Sequence, residues 1–446
     1  MRDKYVKLEG YHLLDVKECS MRQRANGHGM ARIVGHIAPE DEDQYVKKSM
    51  EDTQGTIIGV TENGGEFVLF QGVIVKCEVQ CSGQAKLLEM ELISTSYLLD
   101  LETHIRSFQD NAVTYGDVIR EITSSYRNEI GRMEINADKA LGSYLVQYKE
   151  TDWAFLLRMA ARMGTYVLPN VVKAGIRFGF MGDDVASTVE AEEYRIVNEK
   201  GKKHCVLKSR DYYGLGTQIT FLDEELYAYQ VDSILEGEEM HHSYLLKRQN
   251  EFACEEYENP LLTGVSLEGH VTDVKEDKVQ VELDRDVLSG TKKWFSYATI
   301  YSSPDGTGWY CMPENGDCVR TYFPDSLEEN AYVLSSVHVD GASNGARSNP
   351  DEKSIKSKYG KEILFKPDSL LITNNKGMFI EIDDNEGISI FSDKNIELST
   401  KEDVRIVSVN DAIRMIAKDQ ILLQQNDSYI AIKDDVIIDG GQVKLV

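Results

Sequence analysis

The sequence contains no run of about 18 uncharged apolar residues, so it offers no candidate transmembrane helix. It has no basic excess either. Acids outnumber bases 75 to 49, a formal charge of -26. That argues against a general binder of nucleic acid or anionic membrane, since both need clustered Lys and Arg. The start, MRDKYVKLEG, lacks an apolar core segment, so no secretory leader is expected. Cysteine is sparse and unpatterned: Cys19, Cys77, Cys81, Cys205, Cys254, Cys311 and Cys318 are odd in number and scattered. They read as reduced thiols of a cytoplasmic product. Cys77 and Cys81 have no second Cys or His pair at zinc-ribbon spacing, so no structural metal is expected. Neither G-x-S-x-G nor H-E-x-x-H occurs. Proline is scarce at 8 residues against 34 glycines, which suits a β-rich chain with many tight turns.

The polar residues that invite a chemical role have simpler readings. His241 and His242 lie beside Glu238 and Glu239, but neighbours on a strand face opposite sides and seldom share an ion. His28 and His36 flank NGHGMARIVGH, which lacks the Gly-Lys-Ser/Thr of a P-loop and reads as a loop followed by a strand. Glu150 and Asp152 could be paired catalytic carboxylates. Their place at a helix start gives a sufficient reason, because acids there favour the helix dipole. No catalytic residue, cofactor or metal ligand is therefore expected.

Apolar residues are 41% and charged residues 28%, a globular composition. With 446 residues, about three domains are expected. FVLFQGVIVKCEVQ (67–80) and KLLEMELIST (86–95) alternate like strands around Ser82-Gly83. Thr114 with Asp117 makes a capping-box-like start to a helix in YGDVIREITSSY. Thr151 opens a second helix, DWAFLLRMAARM, with Trp153, Leu156, Leu157 and Ala160 on one face and Gly164 as its stop. Residues 1–261 form the first region. Residues 262–339 give five strands, suiting an OB-type barrel: GHVTDVKEDKVQVELD (269–284) supplies two, TGWYCMPENGDCVRTYF (307–323) two, and AYVLSSVHV (331–339) the last. Residues 340–360 read as a linker.

From 361 onward the chain repeats. Apolar pairs at i and i+2 are Ile380/Ile382, Ile388/Ile390, Ile396/Leu398, Val404/Ile406, Ile413/Met415, Ile421/Leu423, Ile430/Ile432, Val436/Ile438 and Val443/Leu445. Their first members are 8, 8, 8, 9, 8, 9, 6 and 7 residues apart, with Asp, Asn and Ser between them. A fixed period of strand and bend means a solenoid or an array. Two inward residues per strand cannot cover a core, and each strand exposes backbone groups on both edges. A single chain would need roughly 24 residues per coil and would make only about three coils. Three intertwined chains satisfy every edge and give a needle of about 40 Å at ~4.8 Å per strand step. The intertwined form is favoured. Its core would be the inward pairs from Ile380 to Ile432.

The order of parts resembles the VgrG-type spike proteins of contractile injection systems: myophage baseplates, R-type tailocins and type VI secretion. VQYKETDWAFLLRMAARMG (146–164) is similar to the hub segment Q-Y-x-E-S/T-D-W-x-F-L-x-R-L-A, and TYGDVIREITSSY (114–126) to the helix before it. GHVTDV (269–274) and MPENGDCVRTYFPD (312–325) resemble barrel strands. IKSKYGKEILF (355–365) and GMFIEIDDNEGISIFS (377–392) resemble the start of the prism. The likeness covers nearly the whole chain. It implies a mainly β protein with a few short helices: a β-barrel hub, an OB-type barrel and a trimeric β-prism needle. It implies a homotrimer assembled in the bacterial cytoplasm, docked on a hexameric tail-tube protein among baseplate components. The needle would pierce the target envelope. Residues 340–360 are too few for the lysozyme-like domain of some members, and no His follows His338 to hold a tip metal. The resemblance then implies a separate PAAR-type tip protein, met by Val443, Leu445 and Val446. The rival readings are an envelope-degrading spike with glycan or peptidoglycan hydrolase activity, and an OB-type nucleic-acid binder stacking bases on Trp294, Phe295, Trp309 and Tyr310.

Overall fold

The computed structural model describes every residue except 52, 127–128, 183–184, 187–188, 200, 256–257, 289, 338–347, 440–441 and 443–446. The chain divides into two units, Met1–Val339 and Asp340–Val446. Among the described residues no helix is long and apolar enough to cross a membrane.

The first unit is organised by one large mixed sheet. Its order runs Tyr5–Leu8, Gln54–Val60, Glu66–Ser82, Ala85–Ile93, Met30–Ile37, Asp15–Arg24, Glu224–Glu236, Glu239–Lys247, Lys202–Ser209, Glu193–Glu199. The join at the middle is long-range: Arg24 pairs with Gln230 and Ser20 with Ile234. One inner face carries two cores. Ile33, Ile57, Phe70 and Met90 belong to the first, and Leu207, Val231, Tyr244 and Phe252 to the second. The sheet's two end strands are not paired with each other among the described residues.

A third core is built on helices. Helix α1 (Glu42–Glu51) packs only Tyr45 inward, which is why its sequence carries little periodic signal. Helix α2 (Tyr115–Ile122) starts at Thr114 with a full capping box to Asp117. Helix α3 (Asp152–Met163) starts at Thr151, whose hydroxyl accepts from the Ala154 amide. It stops at Gly164, held at φ +64°. Both later helices run as their caps predict. Val118, Ile119, Phe155, Leu156 and Met159 meet in this core.

The five-stranded sheet that follows has the order Trp294–Ser296, Lys278–Leu283, Ser266–Lys275, Cys318–Tyr322, Tyr332–Ser336. A parallel bridge between Tyr297 and Val333 links the outer strands, as in a partly open five-stranded barrel. One strand differs from expectation. Residues 307–312 are a loop, and Trp294–Ser296 supplies the strand instead. Gly308 at φ +147° turns residues 307–310 back onto 299–303, where the Trp309 amide meets the Tyr301 carbonyl at 2.8 Å.

In the second unit, strands Lys353–Lys356, Glu362–Phe365, Ser369–Thr373, Phe379–Asp383 and Gly387–Phe391 form one antiparallel meander. The expected linker therefore ends in a strand: Ile355 pairs with Ile363 across a turn closed by Gly360 at φ +78°. Consecutive strands of one chain pair here, rather than leaving every edge to another chain. Their turns dictate it. Asp383 accepts from the Asn385 and Glu386 amides, and Gly387 takes φ +88°. Residues 392–420 carry no paired strand, yet bends recur at 393–394, 401–402, 409–411 and 418–419. Ile421–Gln425, Ser428–Ile432 and Val436–Asp439 form a second meander.

Replacing Gly164 by Ala should cost about 1 kcal/mol, because its left-handed backbone penalises a Cβ. A urea titration should show the midpoint falling with the slope unchanged; an unmoved midpoint would contradict the role assigned to this cap.

Candidate functional site

A cluster of buried charged side chains sits where α3 meets the barrel. Arg158 lies on the buried stripe of α3, between Leu156 and Met159, and its side chain is 1% exposed. A guanidinium there must be paired in place. Glu150, on the strand just before the helix, takes Nε at 3.0 Å and Nη2 at 2.8 Å. The Val146 carbonyl takes Nη2 at 2.6 Å. The last partner comes from the barrel: Glu328 accepts Nη1 at 2.8 Å and, on its other oxygen, Nη2 of Arg162 at 2.5 Å. Burial alone would lower the Arg158 pKa, but Glu150 and Glu328 raise it above the ordinary value. Burial would likewise raise that of Glu328, but Arg158 and Arg162 hold it below the usual carboxylate value. Two cations and two carboxylates cancel inside the junction.

A second contact flanks the first. Asp286 of the barrel accepts from Gln109 Nε2 at 2.6 Å and Lys292 Nζ at 2.9 Å, and also bonds the Ser107 hydroxyl. Gln109 gives a further hydrogen bond to the Val281 carbonyl at 2.8 Å. Tyr144 and Val146 are part of the barrel's own core. The Tyr144 ring meets Phe295 edge-on at 5.5 Å and stacks on Phe323 at 6.0 Å. The helix-bearing region and the barrel thus share a core, and their relative position is fixed by packing as well as charge.

The polar residues singled out from the sequence do not come together. Glu150 and Asp152 do not face a cleft. Asp152 is fully buried at the helix start, with Arg106 Nη1 at 2.5 Å and Gln147 Nε2 at 2.9 Å, so pairing adds to the dipole as its reason. Glu150 belongs to the strand and serves Arg158. His241 and His242 point to opposite sides: His241 meets Glu192 at 3.0 Å, while His242 is buried against Ser233 at 2.8 Å. Burial pushes the His242 pKa down to about 3. His28 leads into the strand Met30–Ile37 and touches Ser96 at 2.8 Å and Asp100 at 3.4 Å. This hydroxyl–imidazole–carboxylate series resembles a nucleophile relay, but Ser96 is fully buried and no substrate carbonyl could reach it. Among the described residues no group of three His, Cys, Asp or Glu is placed to hold a metal. Phe295 is core and Trp294 half-buried, so the four barrel aromatics do not form one stacking surface.

The inward pairs of the second unit are not inward in one chain. Ile388 is 69% exposed and Leu398 78%, and Ile380, Ile382, Ile390, Ile396, Val404, Ile406, Ile413, Met415, Leu423, Ile430 and Ile432 are also exposed; only Ile421 is half-buried. Val443, Leu445 and Val446 lie outside the described residues.

Residues 44–195, which contain α2 and α3, match the phage tail baseplate hub (GPD) family. No curated protein matches the sequence. Solved structures match the architecture, two of them as follows. One is an E. coli protein, c3393, described as a component of the type VI secretion system with structural similarity to T4 bacteriophage tail proteins gp27 and gp5. It is 13% identical with a TM-score of 0.50, covering 75% of this chain and 99% of that one. The other is the Francisella PdpA–VgrG complex, 8% identical with a TM-score of 0.56, covering 84% and 83%. The fold is that of a VgrG-type spike protein. The matched residues 44–195 include α2 and α3, and the Arg158–Glu328 network is the joint between this hub-like region and the barrel. Sequence reasoning misses Glu328. The signal available is Arg158 itself, since a base on an apolar helix stripe demands a buried acid.

Glu328→Gln should destabilise the first unit by about 3 kcal/mol, because it leaves Arg158 and Arg162 short of charge. The depressed Glu328 pKa also sets a pH sign. Its contribution is complete above the unfolded value of about 4.3 and is lost as pH falls through the lower folded value. Thermal melts across the acid range should show a steeper loss for the native chain than for Glu328→Gln; parallel curves would refute the assignment.

Proposed function

We propose that the chain is the central spike of a contractile injection machine and acts mechanically, without bond chemistry. The observation that carries this reading is the second unit. Its residues 392–420 bend about every eight residues, present apolar pairs to solvent, and have no strand partner among the described residues. Such segments find partners in further copies, which supply backbone groups and apolar cover together. A homotrimer is the reading supported. The hub would dock on a hexameric tail-tube protein, the assembled needle would pierce the target envelope, and a PAAR-type protein would cap its end. The match of residues 44–195 to baseplate hubs supports docking among baseplate components. Assembly would take place in the bacterial cytoplasm.

The hydrolase reading lacks a comparable support. Among the described residues, the buried carboxylates Glu150, Asp152 and Glu328 are engaged by Arg106, Arg158 and Arg162, and Asp3 accepts from the Met240 amide. A glycosidase instead keeps two acids facing a sugar across a groove.

Light scattering on the full chain and on a form ending at Pro350 tests the assembly. A full chain near three times 50.4 kDa, with a weakened or monomeric shortened form, is expected. Monomers for both would remove the trimer. The purified full chain should release nothing from peptidoglycan or envelope polysaccharide, and turnover of either would establish the enzyme reading instead.

A further inference from the structure

The first unit contains a cavity of about 240 Å³ that the joint does not use. It lies between the two cores of the large sheet. Val171 of one core and Leu168 and Leu215 of the other form its walls, with Phe67 at one side. An apolar cavity of about 150 Å³ takes up benzene, so this one has room for a bicyclic ring.

Two polar groups give the cavity a direction. Gln23 lines it and is 1% exposed. Its Nε2 donates to the Tyr212 hydroxyl at 3.0 Å, while its Oε1 accepts no hydrogen bond among the described residues. An amide oxygen at the cavity wall with no donor among the described residues is open to a ligand N–H or O–H. Lys173 lines the same cavity from an exposed position. Among the described residues it has no carboxylate within 4.0 Å, whereas neighbouring Arg177 is held by Glu134 at 2.7 Å. A wall of mixed polar and apolar residues, one free amide acceptor and one ammonium without a carboxylate partner among the described residues are features of a small-molecule site.

We propose that this cavity binds a compact aromatic carboxylate carrying a ring N–H or O–H. The ring lies between Leu168, Val171 and Leu215, its donor reaches Gln23 Oε1, and its carboxylate meets Lys173. This is independent of the mechanical role, since none of these residues belongs to the joint or to the repeat.

The probe is indole-3-acetate, titrated into the full chain by calorimetry. Binding is expected, with a rise in melting temperature. Lys173→Ala should weaken it about fivefold, the size of a partly exposed ion pair, without affecting 3-methylindole, which has no carboxylate. The 1-methyl derivative of indole-3-acetate, which cannot donate to Gln23, should bind more weakly to the native chain. Val172→Trp, placed at the half-buried edge of the cavity, should block all three ligands. No heat at millimolar probe overturns the proposal. So does binding that neither Lys173→Ala nor Val172→Trp changes. Because Lys173 is exposed and the methyl test alters only the ligand, the result does not depend on a core variant folding.

Discussion

A buried guanidinium cannot stand alone, and Arg158 is placed where water cannot reach it. Desolvating an unpaired charge costs several kcal/mol, more than most single contacts return. Glu150 can answer from the same region, but it leaves Nη1 unmet. Only Glu328, 170 residues further on, completes the shell. The helix-bearing core is therefore finished by the barrel. Tyr144 makes the dependence mutual, since it leaves its own region to fill the barrel between Phe295 and Phe323. Neither part has a complete interior without the other.

What is legible in the sequence is local or periodic. Thr114–Asp117 and Thr151–Gly164 mark their helices because a cap acts within one turn of the residues that spell it. The repeat after 361 is legible because bends and apolar pairs recur at one spacing, and the bends do fall at that spacing through 392–420. The order of parts carries the resemblance that the fold then matches. What is hidden is long-range. Nothing near Gln230 announces Arg24 as its neighbour, and nothing in DSLEEN announces a partner for Arg158. Trp294–Ser296 is three residues long, too short for a period to show, while the aromatic 307–312 imitates a strand that Gly308 turns away. Helix α1 buries one side chain and so leaves no stripe to read.

The two units solve the same burial problem at different levels. The first hides the apolar residues of its cores within one chain, and where it buries charge between α3 and the barrel it does so in a cancelling set. The second leaves Ile388, Leu398 and their equivalents uncovered, with alternate positions charged or polar. Within 340–446 acids outnumber bases by only 19 to 14, so most of the acid excess lies in the first unit.

The central seam of the large sheet also sets a clock. Asp15–Arg24 hydrogen-bonds to Glu224–Glu236, so the earlier strand waits for one made about 210 residues later. At 5–20 residues per second that wait lasts roughly 10–40 s. During it the nascent chain shows an open edge beside Met30–Ile37. A ribosome-associated chaperone, or slow translation that lets the Glu66–Ser82 and Ala85–Ile93 hairpin settle first, would protect the growing chain until the returning strand closes the seam.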